Sequence, residues 1–148
     1  FLTDARPTRV YAIAPAGTTG DDAAIAVNYA DGSVCQLIYT TTGSPLFGKE
    51  QIEVFAGGKA AVLDDFKRLS LYPRNGRAQK RKLGRADKGH AAELTQMFLA
   101  IRSGEPMPIA VESLLDTTQL SLDTMESLRI GLPIVMADSR PTIEEPSS

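Results

Sequence analysis

The chain has no tryptophan, one cysteine and one histidine among its 148 residues, and each scarcity removes a class of chemistry. A single thiol, Cys35, cannot close an intramolecular disulfide. With only one histidine beside it, no cluster with zinc-ligand spacing can be assembled. No apolar run approaches the ~20 residues that a membrane-spanning helix requires, so no membrane partner is expected. No G-x-G-x-x-G occurs anywhere, and so no dinucleotide fingerprint is visible. Positive charge is not in excess either. Sixteen Lys and Arg against eighteen Asp and Glu give a formal net charge of −2, whereas a nucleic-acid-binding domain usually carries a positive balance. The opening residues show no secretory signal pattern. A cytoplasmic protein is expected, with Cys35 reduced and packed inside an alternating apolar strand.

What is present is ordinary in amount and informative in order. The length is that of one domain with a real core. The opening "FLTDARP" reads as the last apolar turn of a helix stopped by Pro7, so the chain is expected to be a fragment of something longer. From Thr8 to about Tyr72 the pattern is strand-like. "TRVYAIAP" is a first strand, and "AAIAVNYADGSVCQLIYTTTG" is a hairpin turning at Asp31-Gly32. Three short strands follow, Ile52 to Phe55, Ala60 to Leu63 and Arg68 to Tyr72, broken by Gly57-Gly58 and Asp64-Asp65. The links are too short for parallel crossovers, so the pairing is antiparallel.

The period then changes. Ala91, Leu94, Phe98 and Ile101, with Met97 beside them, predict a helix ending at Gly104. Val111, Leu115, Thr118, Leu122 and Met125 predict a second, ending at Gly131 before Pro133. "PIVM" is a short strand, and residues 137–148 are a polar tail. The expectation is an α+β domain over residues 1–136: one predominantly antiparallel sheet with helices packed on one face. Apolar residues such as Tyr39, Val54 and Leu63 leave the other face available for a homo-oligomer contact.

Candidate chemistry is sparse. "FAGGKAA" lacks the GK[ST] ending and the following helix of a phosphate loop, so it reads as a hairpin turn. His90 opens a helix with Asp87 or Gly89 as its cap and has no spaced partner for acid–base work. Asp64 and Asp65 are adjacent on a strand, point to opposite faces and serve a turn. "YPRNGRAQKRKLGRADKGH", residues 72–90, holds seven of the sixteen cationic residues. No aromatic interleaves them for base stacking, and Asn75, Gly76 and Gly84 mark an irregular link. A solvated strand-to-helix loop is expected there, with no nucleic-acid partner.

Taken in order, "YADGSVCQLIYTTTG", "KEQIEVFAGGKAAVLDDFKRLSLY", "KGHAAELTQMFLAIRSGEPMPI" and "SLLDTTQLSLDTMESLRIGLPIVM" resemble the C-terminal domain of the glucose-fructose oxidoreductase/inositol dehydrogenase/rhizopine catabolism protein family, Gfo/Idh/MocA. The likeness runs over residues 8–136. The second stretch also resembles members joined to a zinc-type alcohol-dehydrogenase-like portion. The resemblance implies an NAD(P)-dependent oxidoreductase for a sugar, polyol or related carbinol. In such an enzyme an N-terminal Rossmann domain holds NAD or NADP, and this domain floors the substrate site and serves oligomerisation.

The family's catalytic lysine belongs to a Glu-Lys-Pro motif absent here, and its histidine lies ahead of Phe1. His90 aligns elsewhere, so no catalytic residue carries over, and the fragment alone is expected to be inactive and to bind no cofactor. Substrate contact is assigned to Thr41 and Thr42 at the hairpin exit, Lys49 in the next loop, and Lys88 and His90 at the mouth of the first helix. The alternative from another class is a stand-alone binding or assembly module without enzymatic activity.

Overall fold

A computed structural model of the chain describes residue 3 and residues 5–16, 22–82, 84 and 86–136. The polar tail and the expected helical end at Phe1-Leu2 lie outside the described residues. The chain divides into two compact units, Phe1–Thr42 with Ile109–Ser148, and Gly43–Pro108. The fold class is α+β, with antiparallel strands and two helices. The strands form two four-stranded sheets, one in each unit, where a single sheet was expected.

In the first unit β1 (Pro7–Ile13), β2 (Ala23–Tyr29) and β3 (Val34–Tyr39) are joined by a two-residue β8 (Ile134–Val135) in the order β3-β2-β1-β8. Pro7 is tolerated because it begins its strand, and the β1–β2 register shifts between Pro7 and Arg9. The β2–β3 turn runs through Gly32, at φ 85°. There the Gly32 N–H donates to the Tyr29 carbonyl at 3.0 Å, and the Asp31 carboxylate accepts the Ser33 N–H at 2.9 Å. Gly32 alone in the left-handed region gives a longer loop than a two-residue primed turn.

The core of this unit lies where α2 (Val111–Ile130) packs on β1 and β8. Val10, Ala12 and Ser127 are wholly buried, and burial of Val10 contributes about 1.5–3 kcal/mol. The helix does not turn its expected stripe inward. Val111, Leu115, Thr118, Leu122 and Met125 are all exposed, whereas Leu120, Thr124, Ser127 and Leu128 form the covered row. Small side chains at Ser127 and Ala12 permit the close approach of helix and strand that a row of leucines would prevent. Gly131, at φ 69°, ends the helix and sends its N–H to the Ser127 carbonyl at 2.9 Å; the left-handed backbone there favours glycine.

α2 covers β1 and stops short of β3. Cys35, Leu37 and Tyr39 share the α2-side face with Val10 and Val27 by register, yet all six residues of β3 are exposed. Cys35 is therefore an exposed free thiol, not the core thiol expected. An alternating apolar pattern identifies a strand but does not distinguish an edge from a centre. The opposite face of this sheet carries Tyr11, Ile13, Val34 and Ile38, also exposed, so the sheet is apolar on both sides.

In the second unit β4 (Gln51–Ala56), β5 (Lys59–Asp64), β6 (Arg68–Tyr72) and β7 (Gln79–Lys82) follow in simple meander order. Register places Ile52, Val54, Ala61, Leu63, Leu69 and Leu71 on one face. Gln51, Glu53, Asp64, Arg68, Ser70, Lys80 and Lys82 occupy the other. β7 falls inside the basic stretch that was expected to be an irregular loop. "QKRK" has no apolar alternation of its own, and it is a strand because β6 offers an open edge along its whole length. α1 (His90–Ser103) begins at Gly89 and ends at Gly104. Only Ala100 of this helix is buried; Leu94, Phe98 and Ile101 are exposed.

Candidate functional site

Each unit builds one polar cluster from residues distant in sequence. In the first, Asp22 sits just ahead of β2 and meets the residues leaving β3. It is almost fully buried, and its Oδ1 accepts the Thr41 N–H at 2.6 Å and lies 3.5 Å from the Thr41 hydroxyl. The Thr40 and Thr42 hydroxyls are 3.0 Å apart, and the Thr42 N–H donates to the Thr40 hydroxyl at 3.3 Å. The Thr41 N–H, followed by the Thr40 hydroxyl, holds the Asp22 carboxyl below the usual carboxylate range against the opposing effect of burial. The aspartate thus clamps the open end of the β2–β3 hairpin as an anion. Thr41 and Thr42 are fixed by this clamp with their side chains at the surface.

In the second unit the β5–β6 turn places Asp65 and Phe66 at φ 49° and 52°. Two successive non-glycine residues in the left-handed region cost of order 1–3 kcal/mol each, and several bonds hold them there. The Asp65 N–H donates to the Glu50 carbonyl at 2.7 Å and the Lys67 N–H to the Asp64 carbonyl at 2.9 Å. Asp65 pairs with Lys67, Asp64 with Arg68, and Glu50 with Lys88. The Lys88 ammonium also lies 5.7 Å from the Phe66 ring centroid.

The hydrogen bond from Lys67 lowers the Asp65 carboxyl below its ordinary range. Loss of water opposes this, while the Lys67 charge, the Lys49 backbone N–H and the charge on Lys88 assist it. Beside this corner a depression of about 410 Å³ is bordered by Leu46, Gly48, Asp65, Lys67 and Gly84. Asp64 at the end of β5 and Asp65 in the turn are therefore each paired with a cation, and they do not form a carboxylate dyad.

The five residues assigned to substrate contact fall into two groups. Thr41 and Thr42 belong to the first unit, and Lys49, Lys88 and His90 to the second. Lys49 and His90 are exposed, and neither side chain makes an ion pair or hydrogen bond among the described residues. Lys88 is already engaged. Gly89 caps α1 with its N–H on the Asp87 carboxylate at 2.8 Å, so His90 is free of a capping duty. The residues that organise both clusters, Asp22, Glu50 and Phe66, were not singled out in the sequence. Their partners stand up to 38 positions away, and no local spacing marks them. Among the described residues no group of three or more His, Cys, Asp or Glu is placed to hold a metal, and no helix is long and apolar enough to cross a membrane.

No protein-family model matches the chain, and no curated protein sequence does. Solved structures do match it. The UDP-N-acetylglucosamine 3-dehydrogenase GnnA from Acidithiobacillus ferrooxidans aligns with a TM-score of 0.73 at 21% identity, covering 86% of this chain and 42% of its own. The aldose-aldose oxidoreductase from Caulobacter crescentus, complexed with glycerol, gives 0.71 at 11% identity over 89% and 42%. An inositol dehydrogenase homolog from Azotobacter vinelandii, complexed with NADH and myo-inositol, gives 0.61 at 13% over 90% and 45%. The chain thus has the fold of one portion of these oxidoreductases and spans less than half the length of each.

Proposed function

We propose that this chain is the C-terminal, substrate-binding and oligomerising portion of an NAD(P)-dependent oxidoreductase of the Gfo/Idh/MocA kind, acting on a sugar, polyol or related carbinol. One observation carries the reading: 86–90% of the chain superimposes on only 42–45% of several oxidoreductases. A dinucleotide is held by a parallel strand–glycine turn–helix unit. Every strand pairing described in this chain is antiparallel, so its residues do not fit a nicotinamide dinucleotide. The cofactor belongs to a separate nucleotide-binding domain, which we place ahead of Phe1.

On this reading Thr41 and Thr42 in the first unit contribute hydroxyl donors for substrate, and Lys49, Lys88 and His90 in the second contribute nitrogen donors, each kind suited to a hydroxyl-bearing ligand. The outer face of β1–β3, with Tyr11, Ile13, Val34 and Ile38 exposed, is assigned to self-association.

The coding sequence ahead of Phe1 provides the test. A glycine-fingerprint domain there, and reduction of NAD(P)+ by the joined protein with one of a panel of sugars and polyols, is the expected result. NADH fluorescence enhancement on mixing with the 148-residue chain alone would overturn the division of labour. A start codon immediately upstream of Phe1, with no such domain, would overturn the assignment. Light scattering of Ile38→Glu tests the assembly face, where the expected result is a shift from oligomer to monomer.

A further inference from the structure

The four sheet edges are treated unequally. β8 is only two residues long, β4 carries Glu53, β3 carries no charge, and β7 consists of Gln79, Lys80, Arg81 and Lys82. We propose that the outer edge of β7 is a docking strand for an extended acidic segment of a partner protein.

β7 pairs along its full length with β6 on one side, and it is the terminal strand of its sheet. Among the described residues no strand pairs with its other side, where alternate backbone N–H and C=O groups offer an edge to a further strand. Side chains alternate across the sheet, so Lys80 and Lys82 stand on the polar face and Arg81 on the aliphatic one. An added strand meets cations on both of its faces.

These cations are uncommitted. Among the described residues none of Arg74, Arg77, Lys80, Arg81 or Lys82 makes an ion pair. The nearby carboxylates Glu50, Asp64 and Asp65 are taken by Lys88, Arg68 and Lys67. Glu53 shares a cross-strand row with Lys80 through Val62 and Ser70, which places it about 14 Å away at ordinary strand spacing. That is beyond the ~8–10 Å screening length of physiological salt.

Edge lysines also deter accidental pairing between copies, and a single charge is enough for that task. Five uncompensated cations within nine residues, in a chain of net charge −2, exceed it and select for the opposite sign. An acidic strand gains main-chain hydrogen bonds for affinity and alternating carboxylates for specificity. Nucleic acid fits less well: residues 74–89 contain no aromatic for base stacking, and a polynucleotide cannot use an open strand edge.

The experiment is a fluorescence anisotropy titration of the chain with a labelled short peptide alternating glutamate and valine. The expected result is binding at low salt that weakens as salt rises. Lys80→Glu with Lys82→Glu, at exposed positions whose side chains make no bonds among the described residues, is expected to weaken it about tenfold or more. The same peptide N-methylated on alternate amides keeps its charge but cannot pair as a strand on that edge, and an equal loss is expected. Undiminished binding of the methylated peptide would overturn the proposal in favour of plain charge attraction. Equal or tighter binding of a single-stranded oligonucleotide of matched charge, or no binding of the glutamate peptide at low salt, would also overturn it.

Discussion

Ser127→Ala should cost far more than a surface serine has any right to, because of where β8 ends. The pairing of β8 with β1 stops at Val10, so on that side the backbone N–H of Ala12 meets no strand. The Ser127 hydroxyl stands in as acceptor at 2.9 Å and passes its own proton to the Leu132 carbonyl at 2.8 Å. Ala12 and Ser127 are both wholly buried. Removing the oxygen strands a buried N–H at a cost of about 1–3 kcal/mol, and it breaks a second bond whose carbonyl partner, on exposed Leu132, can turn to water for a smaller loss. The expected total is about 2–4 kcal/mol, or roughly thirty- to a thousand-fold in the unfolding equilibrium of that unit. Amide hydrogen exchange reads it directly, since protection of the Ala12 amide should fall by that factor. Ser121→Ala, which removes only an exposed bond to the Thr117 carbonyl, is the control. Equal Ala12 protection in the two variants would refute the reasoning.

Three further outcomes follow from the same bonds. The depressed carboxyl of Asp22 contributes stability that is complete above the ordinary aspartate pKa of 3.8; it is lost as pH falls through the lower folded value. Protection of the Thr41 amide should therefore decline only below about pH 4, and Asp22→Asn should remove that acid step. Gly131→Ala meets no atom within 4 Å but is forced to φ 69°, so urea unfolding should register a loss of about 1–2 kcal/mol. Cys35 should react with a thiol reagent in the native chain as quickly as in denaturant, because β3 leaves it at the surface.

Local signals made much of the fold readable in advance. Period-2 alternation located β1 to β6, paired glycines located the β4–β5 turn, and Gly131 followed by Pro133 located the end of α2. Where the reading missed, long-range partners had decided the outcome. β7 has no strand pattern and exists by courtesy of β6. The inward row of α2 is set by Ser127 and its bonds to β1, while the more hydrophobic stripe of the same helix stays outside. Cys35 lies on an edge that no neighbouring strand covers. At the candidate site, the Lys49 backbone N–H and the Lys88 ammonium reach the Asp65–Phe66 corner through contacts that no local spacing marks. Asp22 escaped notice because its partners appear nineteen positions later, across a hairpin whose ends no spacing rule connects.

The uncharged lip formed by Val34–Tyr39 has a bearing on how the chain must be handled. It is six residues of high strand preference without a gatekeeping charge or proline. A copy deprived of whatever normally lies against that lip should zip onto other copies as it is concentrated. Dilution, or a lysine placed at Gln36, is then what keeps the preparation clear.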